Sequence, residues 1–145
     1  MTDDDGVFDV EAEDAIDFAQ VGAWAIFALG LTPTARHLYT IMVAMINRER
    51  GDRDVWPSLE LLAVWLGLSR GDKVTPYMDE LIAAGAIEKR SRRMNGMKTR
   101  NIYRVRRNPP ENWAGAKSLK EASLEAQGVV ATRKAAKEAA RRKIA

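Results

Sequence analysis

The chain has 145 residues, with 23 Lys or Arg against 20 Asp or Glu, one His and no Cys. At 46% apolar and 30% charged it is one globular domain's worth of chain, which sets aside collagen-like, fully disordered and two-domain readings. The missing Cys excludes disulfides and zinc-thiolate sites, the lone His37 excludes a paired-histidine metal site within one copy, and no apolar run reaches the roughly 18–20 residues of a membrane span.

Residues 1–17, MTDDDGVFDVEAEDAID, carry eight acids and no Lys or Arg, and are too poor in apolar residues to fold alone. They read as an acidic flexible arm, either a counter-charge lying over a basic surface or a solubilising leader. Glu13 and Asp17 stand four apart, but without further fixed ligands no metal site is expected. An acidic start where a secretory signal would be basic gives a cytoplasmic, nucleoid-associated expectation.

From Phe18 the composition changes to FAQVGAWAIFALGL, read as a short strand or helical turn packed onto the next part of the chain. Thr32-Pro33 is a helix start, with a capping hydroxyl before a proline whose missing N–H costs nothing at the first helical position. Leu38, Ile41, Met42, Met45 and Ile46 recur at helical spacing and predict one buried stripe. Gly51 is the expected left-handed cap of that helix. A loop through Trp56-Pro57 leads to Ser58, a second cap, and a helix with Leu59, Leu62, Ala63 and Leu66 inward and Gly67 at its end. A third helix starts at Asp72 or Thr75, the less strained choice being Thr75 as cap with Pro76 first. It runs to Ala84 with Val74, Met78, Leu81 and Ile82 inward, and Gly85 stops it. Trp24, Trp56 and Trp65 sit among apolar neighbours and are expected in the core.

Two strand candidates come next, AIEKRSRR and RNIYRVR, joined by MNGMKT, in which Asn95-Gly96 is a strong tight-turn signal. Residues 89–107 hold nine Lys or Arg and no acid, an asymmetry that points to a polyanionic partner or else to a solvated face. Alternation puts Tyr103 and Val105 on one side of the strand and Arg104 and Arg106 on the other. Asn108-Pro109-Pro110 ends the sheet, and Trp113 is expected to anchor the tail on the module. Ser118 to Glu121 forms a capping box ahead of an Ala-rich basic helix with a thin stripe of Leu119, Ala122, Ala126 and Val129, interrupted by Gly128.

The order helix, helix, turn, helix, hairpin predicts a mainly α fold with a small β-hairpin, in the α+β class. The stretch WPSLELLAVWLGLSRGDKVTPYMDELIAAGAIEKRSRRMNGMKTRNIYRV resembles the winged helix-turn-helix domains of bacterial regulators and of plasmid or phage replication proteins. FAQVGAWAIF, TPTARHLYT, NRERGD and NPPENWAG resemble flanks found in proteins of actinobacterial mobile elements and phages. The resemblance covers roughly residues 18–115. It implies a three-helix core with a wing over residues 18–108, flanked by the arm (1–17) and a C-terminal basic, helical extension (109–145).

That resemblance implies a double-stranded DNA-binding protein, a transcriptional regulator of a mobile element or phage, with no enzymatic activity and no cofactor. The alternatives are replication initiation or partition, and a protein-interaction adaptor on the same scaffold. Ser69, Arg70, Lys73 and Thr75 match the recognition-helix start, where short polar or basic side chains meet the major groove. Tyr77 either stacks on the nucleic acid or belongs to the core. In the wing, Lys89, Arg90, Arg92, Arg93, Lys98, Arg100 and Arg104 are expected along phosphates or in a minor groove, on a surface shared with the third helix. Two departures stand out. The turn LSRGDKV is one residue longer than the usual form, and Pro76 and Asp79 stand where relatives place base-reading residues. A homodimer, and a protein partner held through the C-terminal tail, remain open expectations.

Overall fold

A computed structural model describes residues 18–46, 50–93, 96 and 99–144. Two helices open this part of the chain, the single turn α1 (Ala23–Ile26) and the longer α2 (Pro33–Ala44). The Thr32 hydroxyl accepts from the Ala35 amide at 3.2 Å, and Pro33 fills the first helical position. Leu38 and Met42 are fully buried, while Ile41, Met45 and Ile46 lie at the core's edge. The buried stripe is turned towards Ala35, Tyr39 and Val43. Helix α2 ends at Ala44, so Gly51 (φ 77°) does not cap it; it bends the chain towards the sheet.

That bend delivers an element the sequence reading took for loop, strand β1 (Asp54–Val55). Helix α3 (Leu59–Leu66) then starts at Ser58, whose hydroxyl accepts from the Leu61 amide at 3.1 Å, and ends at the left-handed Gly67. A 3-10 turn (Gly71–Lys73) runs directly into α4 (Thr75–Ala83). Thr75 is therefore not the cap. Val74 already has helical torsions, and its carbonyl accepts from the Met78 amide, so no extended residue is left to cap and Pro76 falls second. Val74, Met78 and Leu81 are buried as predicted, and Ile82 partly.

Gly85 (φ 81°) closes α4 and β2 (Ile87–Arg93) begins two residues later. With β3 (Thr99–Val105) it completes an antiparallel sheet of order β1-β3-β2. Ile87 faces Val105 and Arg93 faces Thr99. Ile87 and Val105, both buried, hold the observed register, because a one-residue slip of β2 would carry Ile87 to the opposite face. Gly96 has φ 76°, and Asn95 lies outside the described residues.

Val55, Ile87, Tyr103 and Val105 bury one face of the sheet against Leu38, Met42, Leu62, Val74 and Leu81. The Trp24 ring meets Tyr39 edge-on at 5.4 Å and Trp113 at 5.0 Å, so Trp113 anchors the segment after the sheet as expected. Trp24 Nε1 donates to the Arg107 carbonyl at 2.9 Å, and the Tyr39 hydroxyl donates to that of Arg106. Burial pushes the Tyr39 hydroxyl pKa up to about 12, against the opposing pull of Arg107 and Arg53.

Two tryptophans depart from the expectation. Trp56 is 42% exposed beneath the Arg50 guanidinium, 4.6 Å from its ring centre, and Trp65 is 48% exposed. Trp65 falls outside the α3 arc that holds Leu62, Ala63 and Leu66. The chain closes with α5 (Leu119–Ile144), capped by the Glu121 amide on Ser118 Oγ at 3.1 Å. It runs unbroken through Gly128, and only Ala122 is buried. No described helix is long and apolar enough to cross a membrane.

Candidate nucleic-acid interface

The extra residue of the LSRGDKV turn is explained by Gly71. Its amide donates to Glu60 Oε1 at 2.9 Å, and a Cβ there would stand 3.0 Å from the Glu60 amide and from the Leu59 carbonyl carbon. The turn thus lies flat on the first turn of α3, where any Cβ would press on backbone. Ser69, Arg70, Lys73 and Thr75 are consequently all exposed. Arg70 is already engaged, its guanidinium holding Asp72 at 2.9 and 3.3 Å, whereas Lys73 forms no ion pair among the described residues.

Beyond that start, α4 offers little to a polyanion. Its exposed positions are Thr75, Pro76, Asp79 and Ala83, with no cation among them. Tyr77 is only half-buried and packs against the core cluster, so its ring belongs with the apolar interior. Glu80 is occupied in fixing α2, accepting from the Thr32 amide at 2.9 Å and the Thr32 hydroxyl at 2.7 Å. Asp79 stands close enough to Tyr103 for its charge to add to the effect of burial, which raises that hydroxyl's pKa. Helix α4 and the helix-facing side of the sheet therefore adjoin.

The hairpin carries the cations, but its pleat divides them. Lys89 and Arg93 alternate with the buried Ile87 and share the helix-facing side with Asn101 and Tyr103. Arg90, Arg92, Arg100 and Arg104 lie on the outer side, with Glu88 and, from β1, Asp54. The expectation of one surface shared by all these residues and α4 is corrected here: alternation leaves Lys89 and Arg93 on the α4 side and the four arginines on the other. Lys98 lies outside the described residues, as do the arm of residues 1–17, with Glu13 and Asp17, and residues 47–49.

Asp54 neutralises part of the outer side. Its carboxylate receives Arg90 at 3.1 Å and stands 3.8 Å from Arg104. Arg106 is drawn inward, donating to the Gly85 carbonyl at 3.1 Å and reaching Glu88 at 3.4 Å. Towards the tip the arrangement changes. Arg92 and Arg100 face each other directly across the ladder, both exposed, and neither makes an ion pair among the described residues. Like charges in that register repel, so the pair favours an anion placed between or above them. Beside β1, Arg50 covers Trp56 and holds Asp52 at 3.0 Å; its hydrogen bond keeps the Asp52 carboxyl below its ordinary pKa.

Sequence reasoning missed Asp54, Arg50 and Trp56 as parts of this surface. The one signal was Asp-Val-Trp just before Pro57, a polar-apolar alternation stopped by a strand breaker, but a two-residue strand is too short to stand out from a loop. No described group of His, Asp and Glu could hold a metal ion.

No protein-family model matches the chain, and no curated protein does. Among solved structures it is similar to a possible transcriptional regulator from Methanosarcina mazei Go1, at 14% identity, covering 79% of this chain and 82% of that one, with a TM-score of 0.42. At that distance function has to be argued from the residues.

Proposed function

We propose that the chain is a winged helix-turn-helix protein that binds double-stranded DNA without catalysing a reaction or using a cofactor. In this reading α2, α3 and α4 are the three-helix core and β2–β3 is the wing. The observation that carries it is the Arg92–Arg100 pair, two guanidinium groups set face to face at the hairpin's outer end with no ion-pair partner among the described residues. A phosphate backbone, or the narrow minor groove of a duplex, supplies the negative potential they lack. Ser69, Lys73 and Thr75 stand on the α4 side, across the sheet from this pair, and there meet other phosphates or the major groove. Base reading is confined to few groups, since Asp79 can accept from cytosine N4 and Pro76 donates nothing. Backbone contact is the larger contribution.

Transcriptional regulation of a mobile element or phage is the process this reading favours, with replication initiation or partition as the alternative. Footprinting separates them, because one promoter operator marks the first and an array of repeats near an origin the second. The primary test is a mobility shift across a salt series. Affinity falls steeply with salt in the parent protein, and Arg92→Gln with Arg100→Gln flattens the slope by about two, at roughly 0.9 counterions per phosphate. An unchanged slope refutes the wing's role.

A protein-interaction role on the same scaffold is the second reading. The observation in its favour is the apolar side of α3, where Leu61, Val64 and Trp65 are exposed at 41%, 72% and 48%. A partner bound there, together with no duplex binding at low salt, would establish it in place of the first.

A further inference from the structure

We infer that the C-terminal half of α5 is a second duplex-binding element that grips phosphates independently of the hairpin. The inference extends the DNA-binding reading and rests on it only for the kind of polyanion engaged. Helix α5 has 26 residues, a length of about 39 Å, and beyond Ala122 every described side chain is exposed. Among the described residues, nothing covers it. From Arg133 to Lys143 it carries six cations, Arg133, Lys134, Lys137, Arg141, Arg142 and Lys143, against the single acid Glu138. None of the six makes an ion pair among the described residues, although Glu138 is one turn from Lys134 and from Arg142. The hairpin, by contrast, spends Arg90 and Arg104 on Asp54.

Their spacing suits a strand of phosphates. Arg133, Lys137 and Arg141 recur every four residues and form one row, with Lys134 beside it. Successive cations in that row are about 6 Å apart along the axis, close to two base-pair rises of about 3.4 Å. Ala136 and Ala140 flank this row on one side, and their small side chains let the helix approach a backbone closely there, while Glu138 lies on the other side beyond Lys134. The same composition argues against a membrane surface, which requires a segregated face of large apolar residues. It argues equally against a coiled coil, because the seam through Leu119, Ala122, Ala126 and Val129 continues into Arg133. The helix is fixed to the module at its other end, where Ala122 is buried and the Lys117 amide approaches Glu121 Oε1 at 3.5 Å.

The test uses the full chain and a fluorescent 24-base-pair duplex of random sequence, read by anisotropy over a potassium chloride series. The variant replaces Arg133, Lys134, Lys137 and Arg141 with Gln, a good helix former, and circular dichroism checks that α5 persists. The expected result is a salt slope lower by about two to four and an affinity at 0.1 M salt lower by about thirtyfold or more. A variant that keeps the parent's slope and affinity overturns the inference. If it does so while Arg92→Gln with Arg100→Gln loses binding, the DNA-binding reading stands alone. If the α5 variant loses binding and the hairpin variant does not, the inference stands and the wing's role falls. A parent protein that binds no duplex overturns both. Loss confined to binding of phosphatidylserine vesicles, with duplex binding intact, also overturns the inference.

Discussion

Asp54 lowers the positive charge of the hairpin's outer side, and releasing it should strengthen DNA binding. The outer side sets Arg90, Arg92, Arg100 and Arg104 against Asp54 and Glu88, and the Asp54 carboxylate touches two of the four cations. Its side chain is 23% exposed, while Arg90 is 53% and Arg104 44% exposed, so these are surface pairs worth at most about 1 kcal/mol each to the fold. Asp54→Asn keeps the shape and the amide-to-carbonyl ladder, and frees one or two guanidinium groups for phosphate. At about 0.9 counterions per contact, the plot of log affinity against log salt steepens by about one to two. Taking 1 M as the salt at which the ionic contribution vanishes, affinity at 0.1 M rises about eightfold for one new contact and about sixtyfold for two. Anisotropy of a labelled duplex between about 50 and 300 mM salt measures both quantities, with thermal melting as a control on the fold. Unchanged slope and affinity in a folded Asp54→Asn protein would refute the claim that this side of the sheet meets DNA.

Three further outcomes concern the scaffold. Gly71→Ala should cost about 1–3 kcal/mol in denaturant unfolding, since its Cβ meets the backbone of Leu59 and Glu60, and a loss below about 0.5 kcal/mol would contradict that contact. Tyr39 ionises at about 12 in the folded chain against an ordinary 10, a raised value, so its contribution is intact below pH 10. As pH climbs from 10 to 12 the unfolded chain ionises first, and stability falls by about 2 kcal/mol; Tyr39→Phe should remove that portion of the alkaline loss. Trp24 and Trp113 should show a coupling of about 0.5–1.5 kcal/mol in a double-mutant cycle, and additive losses would mean that their edge-on contact contributes nothing beyond separate burial.

The helices were legible because their ends are written in local chemistry. Thr32-Pro33, Ser58, Gly67, Gly85 and the Ser118–Glu121 box all act within four residues of themselves. What failed was decided further away. Thr75 looks like a cap until the 3-10 turn, seated on α3 through Gly71, feeds helical torsions into Val74. The hairpin register is held by the burial of Ile87 and Val105 at the end away from the turn, a pair that lies 18 positions apart in the chain. Trp56 and Trp65 were assigned to the core by hydrophobicity alone, yet one lies under Arg50 and the other faces out of α3. For the candidate interface, the sequence revealed the cations and their alternation, but the Asp54 neutralisation depends on a strand of two residues that no periodicity announces.

The two aromatic donors at the base of the sheet constrain the order in which the chain can mature. Trp24 and Tyr39 donate hydrogen bonds to the carbonyls of Arg107 and Arg106, acceptors 83 and 67 positions downstream. During synthesis these two donors bond water until the polypeptide beyond the hairpin has left the ribosome, and the interior that later shields them stays open. A nascent fragment ending before Arg106 lacks both acceptors and cannot bury these donors without leaving them unpaired, so it should remain susceptible to protease until Arg106 and Arg107 arrive.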